Sequence, residues 1–477
     1  MTACAVEENA VDWADEADVV VVGFGAAGAA AAYEAASCGA EVRVLDRAGA
    51  PGGAAAMSDG FVYLGGGTPE QVEAGVLDTV EDMRAFLKAA CGPAPDETKI
   101  DAYCEGSLAH RDWLVERGVR FLGTVRPDAN GTSPVDGEGI LFTGGENAHP
   151  FNAIARPAQR GHVVQGGRPG GKMLMQVLAD AAVQAGAHPV YDVRADALVV
   201  GADGVAGVLA SRYGEPYAVR ARSGVVLAGG GFINNPDMVA RYAPAVFPTP
   251  LRLGTDGDDG RAILMAQAVG ARVKRMDAIE CALPFNAPRS LVHGIIVNRH
   301  GQRFVNEDTY QGRVGQAALL HQDGQAYLIV DEAHYAANWL GLTASWVCET
   351  ATELEAEIGL PVGSLDAAID YYNVHARQGT DPVFHKQSDV LSELVPPLAA
   401  FDLRADKFIY APFTLGGVET TVDSAVLDLT GEAIRGLWAA GRCTSGVAAQ
   451  GYASGLSLGD STFFGRRAGR HAAGVTS

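Results

Sequence analysis

A chain of 477 residues, 48% apolar and only 19% charged, has the composition of a globular protein and is long enough for two domains, which excludes a disordered or fibrous chain. Its net charge of −21, from 57 acidic against 36 basic residues, argues against nucleic acid and anionic membrane surfaces as partners. The seven cysteines (Cys4, Cys38, Cys91, Cys104, Cys281, Cys348, Cys443) make no C-x-x-C pair and no Cys/His cluster, so they read as free thiols in a reducing, cytoplasmic setting with no metal site.

Residues 1–18 are acidic, lack the apolar h-region of a signal peptide and read as a loose lead-in. No apolar window of about 18 residues or more predicts a membrane span. The segment "ADVVVVGFGAAGAAAAYEAASCGAEVRVLDR" comes next. Residues 19–22 predict a fully buried strand, and Gly23, Gly25 and Gly28 then give G-x-G-x-x-G. An alanine-rich helix stops at Gly39, and a second strand over 41–45 ends in Asp46. Each part serves a bound dinucleotide. Gly23 makes the tight turn, Gly25 admits the pyrophosphate, Gly28 lets the helix pack on the strand, and Asp46 accepts from a ribose hydroxyl. A second run of small residues, "GGAAAMSDGFVYLGGGT" over 52–68, lets a long ligand lie along the backbone, as an extended FAD does. The "GADG" at 201–204 lies between two apolar runs and predicts a hairpin turn, so one FAD and no second site for NAD(P)H is expected.

Helices are predicted over 71–90 and 97–117, strands in "LVHGIIVNRHGQRFV" and "QAYLIVD", and further helices over 350–358 and 364–377. "VPPLAA" marks the return toward the nucleotide fold. Near the C-terminus, "QGYASGLSLGD" places Tyr452 and Ser454 two residues apart, ahead of a helical stretch over 456–467. In an extended segment residues i and i+2 point the same way, so both can face one pocket. The N-terminal dipole of that helix would stabilise negative charge at the pyrimidine end of a reduced flavin.

The chain resembles the flavoprotein family that includes fumarate reductases and 3-ketosteroid dehydrogenases. The matching stretches are the fingerprint at Gly23, "GVVLAGGGF", "TDGDDGRAILMAQAVGA", "GIIVNRHGQRFVNED", "FTLGGVETT" and "GLWAAGRCTSG", spread over nearly the whole length. The resemblance implies an α/β fold: a Rossmann-like FAD-binding domain built from both chain ends (1–277 and 411–477), with an inserted α+β catalytic domain over 278–410. It implies non-covalent FAD. The candidate cofactor contacts are Gly23, Gly25, Ala27, Gly28, Asp46 and Arg47, then Gly53, Ala54, Ser58 and Gly60. Ala195 would meet adenine through its backbone. Gly229, Asp259, Gly441, Arg442, Ser457 and Leu458 complete the set.

Fumarate reductases clamp a dicarboxylate with cations, and this chain lacks them at the corresponding places. The fifth position after Asn306 is Gln311 rather than arginine, the histidine before the "TxGG" turn is Phe413, and the arginine of the C-terminal loop aligns with Tyr452. No histidine lies in "MDAIECALPFNAPRS". A site without cations gives a dicarboxylate nothing to exchange for water, so the substrate should be neutral and largely apolar. What stands there instead, Tyr310, Tyr452 and Ser454, resembles the ketosteroid Δ4-(5α)-dehydrogenase branch. The Δ1 branch follows its second tyrosine with "YPG", where this chain has "YAS".

Desaturating a ketone needs a donor to the carbonyl, a base for the α-proton and a hydride acceptor. Tyr452 is assigned to the ketone oxygen. By the resemblance Ser454 contacts the proton and Tyr310 passes it on, with the exchange of those two roles left open. Phe413 and Gly455 are candidate substrate contacts. His162, His293, His321 and His385 lack partners at metal or triad spacing and read as structural. The expected enzyme is an FAD-dependent steroid oxidoreductase that passes its electrons to an acceptor the sequence does not name. The alternatives are a Δ1-dehydrogenase, an enoate reductase acting on an apolar substrate, and a non-enzymatic flavin-binding subunit.

Overall fold

A computed structural model of the chain describes residues 5–130, 134–135 and 137–475, with the backbone alone over 126–130. Cys4 lies outside the described residues; the other six cysteines are unpaired.

The valine run "VVVV" forms the end of the strand Asp15–Val22, in the middle of a nine-stranded sheet. Val42–Leu45 pairs with it in parallel on one side and the distal half of Glu215–Leu227 on the other. Ala187–Val190 extends the parallel set beyond Val42–Leu45. Ala433–Ala439 extends it beyond Leu227, so segments more than 400 positions apart in the chain share one sheet. The helix Ala26–Ser37 follows the first strand, and the C-terminal helix Leu456–Ala472 lies across it. Their backbones come this close because a Cβ on Gly465 or Gly469 would run into the carbonyls of Ala27 or Ala31. On its other edge the proximal half of Glu215–Leu227 pairs with Gly204–Arg212, and that strand with Val193–Gly201, in an antiparallel meander whose turn is the predicted hairpin at 201–204.

Three expectations change. The lead-in is not loose: Val6–Glu7 pairs with Val199 and Val200, and the first strand begins at Asp15. Its acidic residues are held on the sheet surface by arginines, Asp15 by Arg43 at 2.8 Å and Asp18 by Arg222 at 2.8 Å. Each long predicted helix is two. Pro69–Glu73 and Val80–Ala90 are separated by a turn through Gly75 at φ +71°, and Glu97–Glu105 stops at Gly106 before Ser107–Glu116. The Phe463 ring fills the place a Cβ on Gly106 would take. "VPPLAA" leads into the strand Leu398–Asp402 rather than out of the inserted region.

That strand belongs to a four-stranded sheet with Ile295–Asn298, Ala326–Asp331 and Trp346–Cys348. Alternate residues face alternate sides. Ile295, Val297, Ile329 and Leu398 pack on the helices Ala351–Ile358 and Ser364–Ala376, whereas Ile296, Leu328, Val330 and Phe401 pack with Val314 and Ala318 of the helix Gln311–His321. Between the two sheets runs a short antiparallel pair, Ile279–Ala282 with Ala411–Thr414. Its register sets Glu280 directly opposite Phe413.

Candidate active site

The fingerprint builds a cradle at the carboxyl end of the parallel strands. Gly23 has φ +99°, and a Cβ there would lie 2.5 Å from the Ala228 carbonyl oxygen. A Cβ on Gly28 would strike the Gly23 carbonyl. Gly25 differs: its backbone is ordinary (φ −84°) and a Cβ would meet only the Gly52 oxygen, at 3.7 Å. Gly25 therefore faces space between two loops, which fits a pyrophosphate passing there. The helix behind it has no side-chain cap, so its first-turn N–H groups are available to an anion.

Asp46 accepts from the Phe24 amide (2.6 Å) and the Ala48 amide (2.8 Å). Burial raises its pKa, against the pull of those two bonds. Its oxygens thus tie the glycine turn to the strand end, and each keeps a lone pair for a ribose hydroxyl. Gly53 (φ +54°) and Ala54 open the short helix Gly53–Ala56, and Ser58 closes that turn on the Ala55 carbonyl at 2.8 Å. Gly60 crosses the backbone of Gly170 too closely for a Cβ, which makes it a packing glycine. Ala195 sits two residues after Val193, whose amide donates to the Asp46 carbonyl at 2.9 Å. Arg47 is exposed and paired with Asp259 at 3.0 Å. Gly229 packs its Cα against Ala262.

At the other chain end, Gly441, Arg442 and Ser457 line one recess with Leu415, Thr444 and Asp460. Gly441 packs against Ala27 of the fingerprint helix, joining the two halves of the cradle. Leu458 is buried beside it. Burial lifts the Asp460 carboxyl to about 6, against the opposing charge of Lys99.

The polar site stands above that recess. Tyr452 is buried, packs edge-on to Phe413 with ring centroids 5.3 Å apart, and accepts from the Ser457 amide in the first turn of the C-terminal helix at 3.2 Å. Both contacts to the phenol come from Ser457, its amide and its side chain, which fix the hydroxyl at the start of the helix. Burial holds its pKa above the usual value, partly offset by Ser457, so it stays a neutral donor. Gly455, at φ +101°, caps the helix, where a Cβ would lie 2.8 Å from the Tyr63 nitrogen. Ser454 Oγ lies 2.9 Å from Tyr310 Oη. Tyr310 caps the N-terminus of Gln311–His321 and is 2% exposed, and burial followed by the nearby Glu280 charge pushes its pKa well up.

Sequence reasoning missed the group behind it. Tyr310 Oη donates to Glu280 Oε1 at 2.9 Å, and Glu280 is 1% exposed. Burial raises this carboxyl to about 7, against the Tyr310 bond and the charge of Arg313. Asp258 was missed as well: it accepts from the Gly231 amide (2.8 Å) and from Arg442 (3.0 Å), fixing Arg442 over the Phe413 ring at 5.3 Å.

The expectation of a site without cations needs correction, because Arg313 and Arg442 border it. Both guanidiniums are tied to the frame. Arg313 donates to the carbonyls of Ala90 (3.0 Å), Gly144 (3.3 Å) and Tyr452 (3.4 Å), and Arg442 to Asp258 and the Leu253 carbonyl. The histidines have framework partners. His162 bonds Thr68 at 2.8 Å, His293 bonds Ser392 at 3.0 Å and stacks on His334, His385 lies tilted against His149 with ring centroids 4.1 Å apart, and His321 ends its helix.

The model of the FAD binding domain family matches residues 18–458. The chain belongs to this FAD-binding family. The flavoprotein is 49% identical to the 3-ketosteroid-Δ4-(5α)-dehydrogenase of Rhodococcus jostii RHA1, solved in complex with 4-androstene-3,17-dione, over 99% of both chains with a TM-score of 0.94. It is 27% identical to the 3-oxo-5α-steroid 4-dehydrogenase of Comamonas testosteroni over 90% of this chain and 93% of that one. The 3-ketosteroid Δ1-dehydrogenase of Sterolibacterium denitrificans shares the fold, with 21% identity over 96% of this chain and all of that one, and a TM-score of 0.72. Among the described residues no helix is long and apolar enough to cross a membrane.

Proposed function

We propose that the protein is an FAD-dependent 3-ketosteroid Δ4-(5α)-dehydrogenase, which places a C4–C5 double bond in a 5α-3-ketosteroid. The observation that carries this reading is the convergence of Tyr452, Ser454 and Tyr310 above the cradle, in a chain 49% identical along its length to an enzyme of that name. The fingerprint turn, the 53–60 loop and the recess at Gly441 and Ser457 would hold FAD, which would supply the acceptor for the hydride leaving C5. The chain's own groups handle the oxygen and the proton. Tyr452 donates to the C3 oxygen and stabilises charge that develops there. Ser454 takes the C4 proton with Tyr310 behind it. Phe413 and Gly455 border the steroid, and the Phe413 ring offers a neutral ring system an apolar face.

Segment 278–410 acts as the catalytic cap, and 1–277 with 411–477 as the FAD-binding unit. The unpaired thiols support a cytoplasmic setting. The test is incubation of the holoenzyme with a saturated 5α-3-ketosteroid and an artificial electron acceptor, with the product's double bond located by NMR. A C4–C5 bond is expected. A C1–C2 bond would make it a Δ1 enzyme, and no turnover with any ketosteroid would leave a flavin-binding subunit.

A further inference from the structure

We infer that Glu280 receives the substrate proton through Tyr310 and, when ionised, fixes the direction of the Ser454–Tyr310 hydrogen bond so that Ser454 can act as the base. The inference rests on the proposed function. A serine hydroxyl accepts a proton only if its own can leave at the same time, and a neutral phenol gives that proton no resting place. The structure supplies one. Tyr310 has a single hydroxyl proton and donates it to Glu280 Oε1 at 2.9 Å. The 2.9 Å bond between Tyr310 and Ser454 must then run from Ser454 to Tyr310. That leaves the lone pairs of Ser454 Oγ open toward the site. A protonated Glu280 can instead donate to Tyr310, which then donates to Ser454; the chain reverses and the base is lost.

On deprotonation of the substrate, the C4–H bond breaks and its proton bonds to Ser454 Oγ. The serine's own proton moves to Tyr310 Oη, and the tyrosine's to Glu280 Oε1. Both hydroxyls end neutral, the carboxylate ends as a carboxylic acid, and the electron pair left at C4 enters the new C4–C5 bond as the hydride departs to the acceptor of the proposed reaction.

Glu280 is built for this place. Its strand Ile279–Ala282 is held by Gln316, which donates to the Ile279 carbonyl (2.6 Å) and to the Gln450 carbonyl (3.2 Å), so the carboxylate and the Tyr452 loop share one anchor. Gly312 lets the carboxylate lie against the first turn of Gln311–His321, since a Cβ there would collide with Oε1. Oε2 has no hydrogen-bond partner among the described residues. The charged and titratable groups around it are few. Arg313 and Tyr310 face it from the helix, Tyr452 from the C-terminal loop, and Cys281 adjoins it in its own strand; from the opposite strand it meets Phe413, which is apolar. Arg313 favours the ionised form and burial opposes it, which poises the group near neutrality at about 7.

The test follows single-turnover flavin reduction by a 5α-3-ketosteroid against pH in the wild-type holoenzyme, Glu280→Gln and Glu280→Asp. Only ionised Glu280 accepts, so the wild-type rate should rise through about pH 7 and then level. Glu280→Gln should lose that limb and run about 10²-fold slower at pH 8, and Glu280→Asp should recover a rising limb. A Glu280→Gln enzyme that keeps the limb and a rate within about twofold of wild type would overturn the relay. If that variant does not fold, Tyr310→Phe should abolish the limb, and its retention would overturn the relay equally. Failure of the wild type to reduce its flavin with the steroid counts against the proposed function instead. In that case the infrared carboxylic-acid C=O band of the resting holoenzyme decides: a band that titrates near neutrality and shifts in Tyr310→Phe supports the coupling, and its absence overturns it.

Discussion

Tyr452 accepts from the Ser457 amide at the start of the C-terminal helix, and that contact holds its phenol as the donor of the proposed reaction. Tyr452→Phe removes the donor but keeps the ring against Phe413, so steady-state turnover should fall by about 10²–10³ with FAD content unchanged. A rate near wild type would remove Tyr452 from the carbonyl. Glu280 leaves a second trace, in stability. Its pKa is about 7 when folded against 4.5 as an ordinary glutamate, so the folded state holds a proton the unfolded chain has lost. That contribution is fully present below about 4.5 and is lost as pH rises through about 7. Glu280→Gln removes the dependence, so its unfolding free energy should gain on the wild type by about 3 kcal/mol between pH 4.5 and pH 8. Parallel denaturant curves at the two pH values, with no relative gain, would contradict a buried, strained carboxylate. Tyr310, Tyr452 and Ser454 could be named from the sequence because each sits in a motif. Glu280 could not, because "AIECAL" reads as an apolar strand and its importance comes from pairing with Ala411–Thr414, some 130 positions on.

Elements built on glycine contacts should fail in two distinguishable ways. Gly28→Ala forces a Cβ into the Gly23 carbonyl, which separates helix Ala26–Ser37 from its strand. Its soluble yield should collapse with or without FAD. Gly25→Ala meets ordinary backbone and open space, so the variant should fold with native-like circular dichroism yet purify without colour, because the added methyl would stand in the path proposed for the pyrophosphate. A yellow Gly25→Ala protein would place the phosphates elsewhere. The strand–turn–helix–strand unit was legible because spacing alone carries it. The breaks at Gly75 and Gly106 were not. A glycine inside a helical pattern is locally tolerable, and what requires glycine at 106, the Phe463 ring packed where a Cβ would stand, comes from the C-terminal helix. The lead-in strand was hidden by its acids, whose arginine partners Arg43 and Arg222 come from later strands.

At the scale of the molecule, the cradle exists only while distant parts are held together. The turn at residues 23–28 comes from the first strand, Gly229 follows the strand Glu215–Leu227, and Gly441 and Ser457 come from the last tenth of the chain. Lys99 ties an early helix to the C-terminal part of the chain through Thr420 (2.9 Å) and the Ser445 carbonyl (2.7 Å). The two-part FAD domain could be anticipated from the resemblance, but these cross-chain bonds could not, since Lys99 belongs to no motif and nothing in "FTLGGVETT" says what Thr420 meets. A ligand spanning such a cradle binds the folded chain and not the unfolded one, so it stabilises by mass action, by about 2.7 kcal/mol at a hundredfold excess over Kd. Acid precipitation should release the flavin into the supernatant, as expected of a cofactor held without a covalent bond. Apoprotein prepared under milder conditions should then melt below the holoenzyme, recover as FAD is titrated back, and keep rising with FAD beyond saturation. Flavin retained in the acid pellet would mean a covalent link, and a melting temperature indifferent to FAD would mean that the two chain ends are joined without its help.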